Sequence, residues 1–308
     1  MYSLNDLLTA LKHPNMALRE CNRIYNHRFG TRTFNTAGDD ILKEDWDLLF
    51  ILDACRYDMF SSTNPISGTL EKRTSKGANT VEFLRGNFAE KELYDTVYVT
   101  ANPQLHRFRD EIDVRFYDVI NVWSESGWNE KHRTVLPETM TEAAIEAARQ
   151  YKNKRLIFHY IQPHYPFVNS DINIGKDQLT DPSATKENVW VQLMKAKTEI
   201  DPSKVIEAYY ENLEAVYPHL KKAIDECVGK AVITSDHGNC LGDRARPIPI
   251  QEWGHPNGIH VDELLTVPWL ITEFEQRREV VSEKSSLTRE VGSDTNVVKG
   301  RLADLGYV

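Results

Sequence analysis

Apolar residues recur along this chain in two rhythms. Short, unbroken runs sit at Asp47 to Asp53, Asp95 to Ala101, Lys154 to Ile161, Lys230 to Thr234 and Val267 to Thr272, with a further one near Val114 to Val122. Runs of this length are too short for stable lone helices and read as strands buried on both faces. Between them lie helical spacings. Pro137 to Tyr151 has an alanine-rich face. Val205, Tyr209, Leu213, Val216, Leu220 and Ile224 share one face behind an Asp201-Pro202 start, with Pro218 as a possible kink. Near the N-terminus, Leu4, Leu7, Leu8 and Leu11 predict a short amphipathic helix, with Ser3 as cap and Pro14 as stop. Residues 17–45 read as a polar wrapping segment, 61–79 as a loop, and 168–200 as a polar insertion over the site. Strands that alternate with helices predict an α/β fold: a mainly parallel central sheet with helices on both faces. Without repeats or low-complexity linkers, the simplest division is one domain over 1–308, with 1–45 as an N-terminal helical or wrapping extension.

Composition narrows the classes. The 308 residues carry 37 Lys and Arg against 46 Asp and Glu, a net charge of −9, so no broad basic face for nucleic acid is expected. No apolar run approaches the roughly 18 residues of a membrane span, and Met1 to Met16 lacks the apolar core of a signal peptide. The four cysteines, Cys21, Cys55, Cys227 and Cys240, show no C-x-x-C spacing. They read as reduced thiols, from which a cytoplasmic setting is expected.

Three strands end in groups able to bind ions: Asp53, His164, and Asp236 with His237. In a parallel sheet such ends gather at one rim, where open α/β sheets bind ligands. Two carboxylates and an imidazole form a hard-to-borderline donor set suited to a divalent ion. Thr80 is the candidate nucleophile: it opens a helix after Ser75-Lys76-Gly77-Ala78-Asn79, and cation coordination would activate its hydroxyl. On local sequence alone an ordinary N-cap is the commoner role for Thr80, with Asn79 competing for the cap and Ser75 for the nucleophile. His164 is pinned between prolines. His255 and His260 share one loop and cannot be ranked. Arg56 can bind an oxyanion or pair with Asp58. Cys55 fits neither C-x5-R nor C-x-P-x-R, and Asp53 does not begin a D-x-D motif, so Cys55 reads as a packing residue.

In this order, Asp53-Ala54-Cys55-Arg56-Tyr57-Asp58, Thr80, Gln162-Pro163-His164-Tyr165-Pro166 and Ser235-Asp236-His237-Gly238 resemble the alkaline phosphatase superfamily, most of all its sulfatase-like branch. Leu305-Gly306-Tyr307 is similar to the ending of many sulfatases. The resemblance implies metal ligands Asp53, Asp236 and His237, nucleophile Thr80, and His164 near the substrate oxyanion. His255, His260 and Arg56 remain substrate or second-metal candidates. The cofactor implied is a divalent ion (Mn, Zn, Ca or Mg). Two-metal members carry D-x-x-x-H where this chain has Tyr160 four positions before His164, which favours one ion per site. The expected activity is metal-dependent hydrolysis or transfer of phosphate, phosphonate or sulfate esters, on a small-molecule or glycan substrate. The alternative is a catalytically silent protein that binds such a glycan.

Overall fold

A computed structural model describes residues 8, 10–29, 33–124, 127–170, 188–195, 201–284 and 295–307. Eleven strands are found among them: β1 Leu48–Asp53, β2 Thr69–Thr74, β3 Glu92–Thr100, β4 Arg115–Asn121, β5 Trp128–Asn129, β6 Thr134–Val135, β7 Arg155–Pro163, β8 Ala231–Ser235, β9 Cys240–Arg244, β10 Gln251–Gly254 and β11 Thr266–Ile271. Seven form the central sheet in the order β2-β11-β8-β1-β7-β3-β4. The pairs β8–β1, β1–β7, β7–β3 and β3–β4 are parallel, and β11 alone runs against its neighbours. Two small antiparallel pairs, β9–β10 and β5–β6, lie beside the sheet.

The apolar runs are strands because both faces of the sheet are covered. Every residue of β1 is buried. Its alternate side chains enter different cores. Leu48, Phe50 and Leu52 pack with the helices Pro137–Gln150 and Pro202–Glu226, while Leu49 and Ile51 pack with Phe83 and Phe88 of the helix Thr80–Phe88. This is the layered arrangement expected from the alternation of strands and helices.

One local expectation is corrected. Residues 61–79 contain the edge strand β2, whose Thr-Leu-Glu-Lys-Arg-Thr sequence pairs with β11 while staying partly exposed. Charged side chains suit an edge that must not recruit another strand. Residues 8 and 10–12 are helical and His13 is not, as a stop at Pro14 predicts, and Pro14 also begins the next helix, Pro14–Phe29, since a proline costs nothing in a first turn that has no N–H partner to lose. Leu4 and Leu7 of the expected N-terminal helix lie outside the described residues, as does most of the 168–200 insertion.

Candidate active site

Asp53 closes β1 at a register break: Leu52 faces Tyr160 of β7, but Asp53 faces Pro163. Such a bulge re-aims the last side chain of a strand. The next residue, Ala54, adopts φ +61°, a left-handed conformation that costs a non-glycine residue about 1 kcal/mol. It is held there on both sides. Its N–H donates to Asp236 Oδ1 at 3.0 Å, and its carbonyl accepts from the Tyr209 hydroxyl. Strain of this kind, over-determined by its surroundings, is common at functional sites.

Asp236 and His237 leave the end of β8, the neighbour of β1. Gly238 lets that turn press against the helix Asp262–Leu265: a Cβ there would lie 2.0 Å from the Glu263 carbonyl oxygen. Thr80 arrives from the other side. The structure settles the cap question in favour of Asn79, whose side chain accepts from the Glu82 N–H at 3.1 Å. The Thr80 hydroxyl is thereby free for another role. Ser75 is not: its hydroxyl donates to the Asp236 carbonyl and accepts from the Gly77 N–H.

These groups converge. His237 Nε2 lies 3.6 Å from Asp53 Oδ1, 3.4 Å from Asp236 Oδ2 and 3.4 Å from Thr80 Oγ1. His237 Nδ1 sits 2.7 Å from the Gly238 carbonyl oxygen. A carbonyl only accepts, so the proton is on Nδ1 and the Nε2 lone pair faces the carboxylates, the usual tautomer of a metal-ligating histidine. Asp53 is oriented in its turn. Its Oδ2 accepts from Asn102 Nδ2 at 2.6 Å and from the Tyr307 hydroxyl at 2.7 Å, which leaves Oδ1 without a partner.

His159, inside the apolar run of β7, completes the cluster. Its Nε2 is 3.6 Å from Asp236 Oδ2, and the Tyr98 hydroxyl holds its Nδ1 at 2.6 Å. Asp53 Oδ1, Asp236 Oδ2 and His159 Nε2 are all buried without a hydrogen-bond partner. One donor atom from each of these three residues fits within 4.8 Å of the others. Burial and the neighbouring Asp236 push the Asp53 carboxyl well above its ordinary range. Burial alone would raise Asp236 too, but His237, His159 and the Ala54 N–H hold it low. Two buried carboxylates with inward oxygens unsatisfied are costly unless a cation joins them. The donor set of carboxylate, imidazole and hydroxyl fits a divalent ion.

A second histidine pair lies beside the first cluster. His164 Nε2 and His255 Nε2 face each other at 3.3 Å, and the His255 ring lies 4.7 Å from that of His237. Burial draws the His164 imidazole down to about 4 and puts His255 well below its ordinary value, so both are neutral. The structure separates the two histidines that the sequence could not rank. His255 joins the site. His260 Nε2 instead meets Glu82 Oε2 at 2.9 Å, and Glu82 also accepts from the Ala78 and Gly258 N–H groups, bracing the turn that carries Thr80. Arg56 takes its pairing alternative: it binds Asp58 and Asp243 and donates to the Asn239 carbonyl. Cys55 is buried, with its thiol pushed up by burial, as a packing residue should be.

Sequence reasoning missed His159, Asn102 and Tyr307. His159 had a readable signal: an imidazole within Leu156 to Ile161 must find polar partners or pay for their absence. The D-x-x-x-H test looked four positions before His164 and found Tyr160, whose hydroxyl shares a hydrogen bond with Thr141 on the opposite face. The imidazole that faces the site is five positions before it. Asn102 is brought in by tertiary packing and nothing local marks it, while Tyr307 closes the Leu305-Gly306-Tyr307 ending, which by itself assigns it no role at the site.

No family model matches the sequence, and no curated protein matches it. Solved structures do. The C-terminal periplasmic domain of EptC from Escherichia coli, in complex with zinc, is 16% identical, with 78% of this chain and 76% of that one covered and a TM-score of 0.43. A putative sulfatase from Bacteroides thetaiotaomicron is 10% identical over 77% and 66%, with a TM-score of 0.44. A protein of the alkaline phosphatase superfamily from Vibrio parahaemolyticus is 10% identical over 86% and 69%, with a TM-score of 0.40. The last of these carries in its description the name of the superfamily that the sequence motifs resemble, and the likeness is one of fold. The EptC domain is described as periplasmic, and the expected cytoplasmic location is withdrawn. The thiols behind that expectation do not report a compartment: Cys55, Cys227 and Cys240 are unpaired because they are buried packing residues.

Proposed function

We propose that this chain is a divalent-cation-dependent enzyme that hydrolyses or transfers a phosphate- or sulfate-type ester group, with Thr80 as nucleophile. The observation that carries this reading is the convergence of Asp53 Oδ1, Asp236 Oδ2 and Thr80 Oγ1 within 3.6 Å of His237 Nε2, with both carboxylate oxygens unpartnered. Asp53, Asp236, His237 and Thr80 would hold the cation, with His159 as a further donor. A cation bound there lowers the pKa of a hydroxyl and offsets charge on a phosphoryl or sulfuryl oxygen.

The chain's own groups supply the rest. Asn79 fixes the helix start, so the first-turn N–H groups and the helix dipole favour an anion beside Thr80. Thr80 Oγ1 forms the new bond to phosphorus or sulfur, its proton leaving to solvent, while the bond to the ester oxygen breaks. His164 and His255 face each other with two nitrogens close enough to share one proton. Burial keeps the pair uncharged, and an anionic ester docked beside the rings raises their basicity, so that the pair takes up a proton from solvent and passes it to the leaving oxygen. Water or an acceptor hydroxyl then releases the group from Thr80.

Aryl phosphate mono- and diesters and aryl sulfates, assayed with added Mn²⁺ or Zn²⁺, test this. Thr80→Ala should lower turnover at least about a thousandfold, given the cost of losing a covalent nucleophile, while still binding the metal in calorimetry. Equal turnover by Thr80→Ala and wild type would remove Thr80 from the role. Tight metal binding with no turnover of any ester would favour the silent binding protein.

A further inference from the structure

A cavity of about 420 Å³ opens from Thr80, His255 and Tyr307 and extends to the helix Gln104–Arg107. Its lining includes Arg19, Arg85 and Arg107 and, among the described residues, no aspartate or glutamate. In a chain with nine more acidic than basic side chains, such one-signed lining calls for a reason. Two of the arginines are paired with carboxylates that do not line the cavity. Arg19 pairs with buried Glu252, and Arg85 with Glu111. Arg107 is different. Among the described residues its only hydrogen bond is a long one, 3.4 Å, to the Tyr307 carbonyl oxygen, and no carboxylate pairs with it.

Both Arg85 and Arg107 lie against the Phe108 ring, at 5.6 and 5.1 Å from its centroid, so that ring steadies two guanidinium groups. Phe108, Trp190 and Trp253 give the cavity aromatic walls. One cavity thus holds the nucleophile, aromatic walls and an unmatched cation.

On the reading of Thr80 given above, we infer that the substrate is doubly anionic: its leaving group carries a second carboxylate or phosphate, which docks at Arg107 beyond an apolar or aromatic body. A guanidinium presents a planar fork that suits either anion, and a cavity of this size buries most of a ligand of ordinary metabolite dimensions.

The test compares phenyl phosphate with 4-carboxyphenyl phosphate. Wild type should prefer the carboxylated ester in kcat/KM by about tenfold, the worth of one charge-assisted contact, and rising ionic strength should erode that preference. Arg107→Gln should remove most of it, Arg107→Glu should invert it, and Arg107→Lys should retain part. A preference that is absent in wild type, or identical in Arg107→Gln, overturns the subsite. A binding arm separates this failure from failure of the enzyme assignment. Thr80→Ala and its Arg107→Gln double variant are titrated with phenylphosphonate and 4-carboxyphenylphosphonate by calorimetry. Tighter binding of the carboxylated phosphonate that depends on Arg107 supports the subsite even if no ester is turned over. Equal affinities sink it even if Thr80-dependent turnover is found.

Discussion

The two ends of β1 carry the same side chain in opposite circumstances. Asp47, just before the strand, and Asp53, at its end, are both buried. Asp47 is fully answered: Arg277 meets both its oxygens at 2.7 and 3.0 Å, and the backbone N–H groups of Lys230 and Arg278 add 2.8 and 3.1 Å bonds. Nearby, the buried ammonium of Lys154 finds the Tyr94 and Val281 carbonyls and Glu283. At the other end, Asp53 and Asp236 face each other with oxygens that no described residue satisfies. One rim pairs its charges and ties the C-terminal segment to the sheet. The other keeps its charges unpaired, which is tolerable only if something outside the chain completes them. The contrast sets the two rims apart on geometry alone.

If the contrast is real, the largest effect comes from Asp53→Asn. An amide oxygen can still accept from Asn102 and Tyr307, so packing is kept. We expect metal affinity to fall more than about a hundredfold, beyond the effect of second-sphere changes, and turnover to fall with it. The metal-free variant should be more stable than metal-free wild type by roughly 1–3 kcal/mol, because one buried charge facing another is gone. Calorimetric metal titration and denaturant unfolding in chelator check both halves. A variant less stable than wild type without metal would make this rim structural, like its counterpart.

The matching experiment at the other rim is Arg277→Ala. It leaves Asp47 buried with its backbone donors but no cation. A fully buried broken pair costs several kcal/mol, and Arg277 is 42% exposed, so roughly 2 kcal/mol is expected. Turnover per folded molecule should not change, since Arg277 lies at the end of the strand away from Thr80. A loss of turnover with unchanged stability would erase the division of labour between the rims.

How far the sequence could be read follows the same division. Asp53, Asp236 and His237 stand at the ends of apolar runs, and a polar residue that stops a buried strand is visible in one dimension. Thr80 was visible as a helix start, but only coordinates could show Asn79 taking the cap. His164 was marked by its flanking prolines. His255 and His260 could not be separated, because their difference lies in Glu82, about 180 residues away in sequence. The strand β2 was hidden by its charged, partly exposed pattern, which suits an edge and also resembles a loop. Arg277 and Tyr307 act on Asp47 and Asp53 from the C-terminal segment, and no local periodicity encodes such long-range pairings.

The smallest expected effect is in the acid limb of stability, and it separates the rims by sign. Hydrogen bonds from Arg277 and Lys230 draw the Asp45 carboxyl from 3.8 down to about 2. Burial alone would raise Asp47, but the Arg277 fork and two backbone N–H groups outweigh it and hold Asp47 low. A carboxylate whose pKa is depressed on folding adds stability that is complete above the unfolded value and is lost as pH falls through the folded one. The contribution of this rim therefore fades below about pH 4. Asp45 is largely exposed, with a side chain 64% accessible, so screening limits its share to a fraction of a unit-scale effect, roughly 0.5 kcal/mol. Denaturant unfolding of wild type and Arg277→Ala across this range, in chelator, should show the gap between them narrowing as the solution is acidified, because protonated Asp45 and Asp47 no longer need the guanidinium. Parallel curves would mean that Arg277 stabilises the rim by packing alone, and that only the rim bearing Thr80 is governed by charge.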